Sequence, residues 1–187
     1  MEDIHQLITD AENRRPLVLI VDDISKNIQL LSTILSRKNY QIAFANSGEK
    51  ALEFLEKRTP ELILLDIMMP GMDGLEVCRR IKEDQYTKEI PVIFLTGKTQ
   101  PEDIKKGFQA GAVDYVVKPF NSEELVARVR THIEFKRAQD MKDSLISYFQ
   151  GSLSRLKDIE ELLPEEIEGD NTIDRIANFV HRQIDVK

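Results

Sequence analysis

Five polar residues close the apolar runs of this 187-residue chain, and their types describe one kind of chemistry. Asp22 and Asp23 follow LVLIV (17–21), Asp66 follows LILL (62–65), Thr96 follows VIFL (92–95) and Lys118 follows YVV (115–117). If those runs are parallel strands, all five groups lie at one carboxyl edge, where open parallel sheets take their ligands. Hard cations such as Mg²⁺ want oxygen donors, typically carboxylates completed by water and phosphate oxygens. Three crowded carboxylates repel one another unless a cation offsets the charge. Asp66 is the candidate nucleophile, because a carboxylate can attack phosphorus and form an acyl phosphate. Phosphoryl transfer depends mainly on positioning and charge neutralisation. Lys118 would pair with one phosphoryl oxygen, Thr96 would donate to a second and the cation would take the third. Gly97 leaves room for an incoming donor.

The elements that must hold these groups follow from pattern. Strands are predicted at 17–22, 41–45, 61–66, 91–96 and 113–117, and their near-continuous apolar character suits burial on both faces. Helical spacing fills the gaps: Ile28, Leu31, Ile34 and Leu35 over about 25–38, then Ala51, Leu52 and Leu55 over 48–57. Leu75, Cys78 and Ile81 mark a third helix over 73–84, opened by Asp73 and Glu76 at capping-box spacing. Thr99 and Glu102 bracket Pro101 at the start of a fourth. A fifth begins near Ser122 with Leu125, Val126, Val129 and Ile133 on its apolar face. Five β-α units give an α/β fold, a doubly wound five-stranded parallel sheet.

Beyond 135 strand signals vanish. Phe135, Ala138, Met141, Leu145, Phe149, Leu153, Leu156, Ile159 and Leu163 continue the helix at three- and four-residue steps, with Gly151-Ser152 a point for a kink or break and Pro164 a stop. Ile173, Ile176, Ala177, Val180 and Ile184 form the face of a short helix over about 172–185. The expected organisation is an N-terminal helical arm at 1–16, the α/β domain at 17–135 and a helical extension at 136–187.

Composition narrows the setting. An apolar content of 41% supports a real core, while a net charge of −7 argues against nucleic acid, which attracts basic surfaces. The single Cys78 forms no internal disulfide, which suits a reducing cytoplasm. No apolar run approaches the roughly 18–20 residues that cross a bilayer, and the N-terminal stretch lacks a signal-peptide core.

Taken in order, LVLIVDD (17–23), LILLDIMMPGMDG (62–74), PVIFLTG (91–97) and GAVDYVVKPF (111–120) resemble the receiver domain of two-component response regulators across about 17–135. The resemblance implies a flavodoxin-like strand order 2-1-3-4-5 and a Mg²⁺-dependent switch. Asp66 would be phosphorylated by a sensor histidine kinase or phosphotransfer protein. It further implies that Asp23 and Asp66 ligate the metal directly, Asp22 through water, and Met68 through its backbone carbonyl. Lys118 would bind phosphate ahead of a cis peptide at Pro119, and Thr96 and Tyr115 would form a switch pair. Met68 and Lys98 stand where the family tunes phosphate lifetime. An apolar Met68 gives an attacking water no side-chain help, so self-dephosphorylation is expected to be slow.

Plainer roles stand beside these. Asp22-Asp23 could simply cap the first helix, Tyr115 could be an ordinary strand aromatic, and Asp114, Asp73 and Gly74 suit turns and caps. His5, His132 and His181 are expected to be structural, and Cys78 to pack within its helix. Other functions fit less well. A haloacid-dehalogenase-type phosphatase needs a second Asp two residues after the nucleophile, where this chain has Met68, and there is no Walker lysine loop or GxGxxG. A DNA-binding output after 135 would want a basic face, yet 136–187 carries eight Lys/Arg against eleven Asp/Glu. A receiver portion of a longer regulator ranks below a receiver whose extension forms a homodimer or docks a protein target that the sequence does not name.

Overall fold

The computed structural model describes residues 14–97 and 101–161. Its elements alternate as β1 (Leu17–Val21), α1 (Ser25–Ser36), β2 (Gln41–Ala45), α2 (Gly48–Leu55), β3 (Leu62–Asp66), α3 (Gly74–Glu83), β4 (Val92–Thr96), α4 (Pro101–Gln109), β5 (Asp114–Val117) and α5 (Ser122–Glu161). The strands form one parallel sheet in the order β2-β1-β3-β4-β5, as the resemblance implies. Of the arm expected over 1–16, residues 14–16 are irregular and the rest lies outside the described residues. Thr99, Lys98, His5, His181 and the helix expected over 172–185 also lie outside them.

The two-residue period of the strands builds two cores. Val18, Ile20, Leu62, Leu64, Ile93, Leu95 and Val116 face Ile28, Leu31 and Leu35 of α1 and Leu125, Val129 and Ile133 of α5. Leu19, Val21, Ile63, Leu65, Val92 and Phe94 face Ala51 of α2 and Val77, Cys78 and Ile81 of α3. Each fully buried aliphatic side chain contributes about 1.5–3 kcal/mol, so the central strands are the most firmly held part of the chain. Burial on both faces holds for β1, β3 and β4. It fails on the outer strand β2, where α1 and α2 cover Ile42 and Ala43 and leave Phe44 67% exposed.

Helix ends differ in detail from the sequence pattern. Asp73 caps α3 by accepting from the Glu76 amide at 2.8 Å. The Glu76 carboxylate, however, pairs with Arg79 and Arg80 at 2.6 and 2.8 Å, so two guanidiniums within its reach displace the return half of the capping box. Ser47 caps α2, accepting from Lys50 N at 3.3 Å. Pro101 is the first residue of α4, where its missing N–H costs nothing. After α1, Asn39 takes a positive φ of 68°, a conformation Asn tolerates, and lets the chain turn into β2. Gly151-Ser152 produces no break, and α5 runs continuously to Glu161 in keeping with the long helix expected to about 163, since one glycine costs a long helix only about 1 kcal/mol.

Two compact units divide the chain, Met1–Met141 and Lys142–Lys187. No helix among the described residues is long and apolar enough to cross a membrane.

One close approach positions the site. A Cβ on Gly74, the first residue of α3, would fall 2.1 Å from the backbone oxygen of Asp66. Gly74→Ala is therefore expected to destabilise the domain by about 3 kcal/mol, the upper end of overpacking costs. Chemical denaturation followed by circular dichroism checks this, and a loss below about 1 kcal/mol would show that the backbone yields there.

Candidate functional site

Register brings the predicted residues to one edge. Asp66 ends β3 beside Leu95 of β4, Thr96 ends β4 beside Val117 of β5, and Lys118 follows with its amide donating to Thr96 O at 2.8 Å. Asp22 leaves β1 with its own amide donating to Ala45 O at 3.2 Å. The Lys118–Pro119 peptide is cis. At the centre, Lys118 Nζ donates to Asp22 Oδ2 at 2.8 Å and to Asp66 Oδ2 at 2.7 Å. Asp22, Asp66 and Thr96 are buried. One ammonium therefore bridges two carboxylates in a region where water is largely excluded and each charge acts more strongly.

Around this bridge the three aspartates are used differently. Asp22 Oδ1 accepts from Ile24 N at 2.8 Å, and Asn27 Nδ2 reaches Oδ1 at 3.0 Å and Oδ2 at 2.9 Å. Asp66 Oδ1 accepts from the Met68 amide at 3.3 Å. Asp23 Oδ1 is buried and meets no hydrogen-bond partner among the described residues. Oxygens from all three carboxylates lie within 4.8 Å of one another. A buried orphan oxygen beside two further carboxylates is a donor set that fits a hard cation such as Mg²⁺. The capping alternative for Asp22-Asp23 fails, since Ile24 holds the N-cap position of α1 and no side chain caps it.

Charge follows from burial and crowding. Burial pushes the Asp66 carboxyl above the ordinary carboxylate range, with Lys118 opposing the shift and Asp22 adding to it. Burial also pulls the Lys118 ammonium down, but its hydrogen bonds to Asp22 and Asp66 more than reverse this, leaving it above the ordinary lysine value. Both directions suit three carboxylates held against one ammonium.

The remaining predicted residues lie close by. Tyr115 and Thr96 line one small cavity of about 10 Å³ with Ile67, Gly107 and Phe108, space for about one water. The Tyr115 ring stands edge-on to Phe108 at 6.1 Å. A Cβ on Gly107 would meet the Phe94 ring at 3.1 Å, so α4 sits tightly over β4. The Met68 side chain is exposed while its backbone stays at the site.

Two groups were not evident from the sequence pattern. Asn27 sits within the first turn of α1, and only its spacing from Asp22 hinted at contact. Asp114 does not serve a turn or cap. Opening β5, it binds Arg128 of α5 through both oxygens at 2.8 Å and His132 at 3.2 Å. Burial raises its carboxyl and the Arg128 bonds outweigh that, so it titrates below the usual range. Strand β5, which carries Tyr115, is thereby tied to α5. Cys78 packs as expected, its thiol donating to Ala110 O at 3.3 Å and pushed up to about 11 by burial.

Comparison with known proteins places this geometry. The family model for the response regulator receiver domain matches residues 18–130. A probable cyclic di-GMP phosphodiesterase of Vibrio cholerae is 45% identical over 148 residues, 75% of this chain and 33% of that protein. The DNA-binding response regulator MtrA of Mycolicibacterium smegmatis is 37% identical over 136 residues, 73% of this chain and 58% of that protein. The matched part of this chain thus spans from a third to somewhat over half the length of these relatives. The receiver domain of sensor histidine kinase PA1611 from Pseudomonas aeruginosa was solved with a magnesium ion coordinated in its active site cleft. It is 27% identical with a TM-score of 0.61, covering 65% of this chain and 99% of that one.

The direction of the Asp66 shift has a measurable sign. A carboxyl raised in the folded state favours folding at low pH and opposes it once pH rises through its folded range. Without divalent cation, Asp66→Asn should therefore stabilise the protein at pH 7, and the gain should shrink as pH falls toward about 4, the ordinary carboxylate value. Melting curves in EDTA across that range test it. A variant less stable at every pH would reverse the assignment.

Proposed function

This chain belongs to the response regulator receiver family, and from that membership we propose that Asp66 accepts a phosphoryl group from a sensor histidine kinase or phosphotransfer protein. The observation that carries the proposal is the Lys118 ammonium held 2.7 Å from Asp66 and 2.8 Å from Asp22 at the carboxyl edge of the sheet. An Asp66 oxygen forms the new bond to phosphorus as the donor's P–N bond breaks, and the electron pair stays on the departing imidazole nitrogen. Lys118 turns part of its charge to one phosphoryl oxygen, and the Thr96 hydroxyl donates to another. Asp23, Asp66 and the Met68 backbone carbonyl would hold Mg²⁺ directly, with Asp22 acting through water. When bound, the ion neutralises charge on the crowded carboxylates and the incoming oxygens.

Acceptance then biases a two-state equilibrium. Drawing Thr96 toward phosphate enlarges the space it shares with Tyr115, and the aromatic ring turns inward as α4 adjusts. The Asp114–Arg128 pair carries the change from β5 to α5. The output we assign to these residues is association, and a soluble, cytoplasmic switch suits it. Hydrolysis of cyclic di-GMP and binding of DNA are named for the longer relatives, whose lengths this chain does not span. Along α5, Phe135, Met141, Leu145, Ile146, Tyr148 and Phe149 are exposed. Their helical spacing supports pairing of two copies of this chain through the extension.

Two measurements test these claims. With acetyl phosphate and Mg²⁺ the wild type should show a retarded band on a phosphate-affinity gel. Asp66→Asn or EDTA should abolish the band, and Lys118→Ala should reduce its rate of appearance at least about tenfold, the scale of one charge-assisted bond. A band that persists in Asp66→Asn would refute Asp66 as acceptor. For the extension, light scattering should give a dimer mass for the wild type in one of its two states, with and without beryllofluoride. Leu145→Glu with Phe149→Glu should give a monomer in both, and an unchanged mass would remove the pairing surface.

A further inference from the structure

The contacts of Asp22 differ from those of its two neighbours in a way that points to one more residue. A carboxylate offers about four lone-pair sites. Protein donors meet Asp22 four times: Ile24 N and Asn27 Nδ2 on Oδ1, Lys118 Nζ and Asn27 Nδ2 on Oδ2. Among the described residues Asp66 meets Lys118 and the Met68 amide, and the inner oxygen of Asp23 meets no partner. Asp22 is thus satisfied by the protein itself, while the other two carboxylates keep capacity to spare. Half of what satisfies Asp22 comes from the amide of Asn27, half-buried on the first turn of α1.

Resting on the receiver reading, we infer that Asn27 is a positioning residue that restrains Asp22 from direct metal ligation. The Asn27 amide holds the carboxylate in one orientation and occupies the lone pairs that a cation would use. Asp22 then serves as a fixed anchor for Lys118, and the ammonium stays aligned with Asp66, where a phosphoryl oxygen must arrive. Without the amide, the buried carboxylate is under-satisfied and turns to the strongest positive charge within reach. The cation is then bound more tightly, and the lysine is left less well placed for transfer. Restraint of this kind keeps metal binding weak enough for the site to reorganise around phosphate.

Magnesium titration calorimetry on the full chain tests the role, comparing wild type with Asn27→Ala and with Asn27→Asp, which keeps the side chain's shape. Asn27→Ala should bind Mg²⁺ about tenfold more tightly, the scale of one hydrogen bond to a charged group. Asn27→Asp, which adds a fourth carboxylate, should bind more tightly still, and in EDTA it should melt below wild type. Initial rates of acceptance from acetyl phosphate at saturating Mg²⁺ should fall in both. Metal affinities within about twofold of wild type, with only the melting temperature lowered, would reduce Asn27 to a helix-end support and overturn the inference. Weaker binding in Asn27→Ala would overturn it too. A wild type that binds no Mg²⁺ would sink the receiver reading and this inference together, whereas a binding wild type matched by both variants sinks the inference alone.

Discussion

Three carboxylates held against one ammonium are the constraint on which this molecule turns. Asp22, Asp23 and Asp66 place oxygens within 4.8 Å of one another, and Lys118 lies 2.7–2.8 Å from two of them. Such crowding is unfavourable in a buried setting unless positive charge and hydrogen bonds offset it. Burial, with a smaller contribution from Asp22, holds the Asp66 carboxyl above the ordinary range despite Lys118.

The rest of the fold keeps those groups from moving apart. Parallel strands β3 and β4 are buried along their whole length and β1 from Val18 onward, so their carboxyl ends are anchored by the core behind them. Close packing brings the next helix against the site as well, with Gly74 seated on the backbone of Asp66. On the Thr96 side the neighbouring strand is β5, at the edge of the sheet. Tyr115 is half-buried beside Thr96, and its strand contacts α5 through the Asp114 pair with Arg128 and His132.

The two relatives carry different functions, one a probable cyclic di-GMP phosphodiesterase and the other a DNA-binding response regulator. In this chain α5 continues from the core positions Leu125, Val129 and Ile133 to exposed Leu145 and Phe149 without a break.

The elements and the gathering of Asp22, Asp23, Asp66, Thr96 and Lys118 at one edge were legible in the residues, while the strand order came with the family resemblance. Parallel topology forces polar groups that end apolar runs to a common edge, so local pattern carries long-range information there. Contacts between distant side chains had no such rule to announce them. Asp114 read as a turn residue because nothing in sequence spacing brings β5 and α5 side chains together; packing of α5 on the sheet does. Asn27 carried no signal in the sequence because its contact depends on the direction in which Asp22 leaves β1. Glu76 chose two arginines over its capping partner, and Phe44 stayed exposed because the helices stop short of it. Sequence determined which chemistry could gather at the edge, because backbone periodicity is local and strict. Tertiary structure alone decided which donors satisfy which carboxylate, because that depends on distances fixed only once the helices have docked.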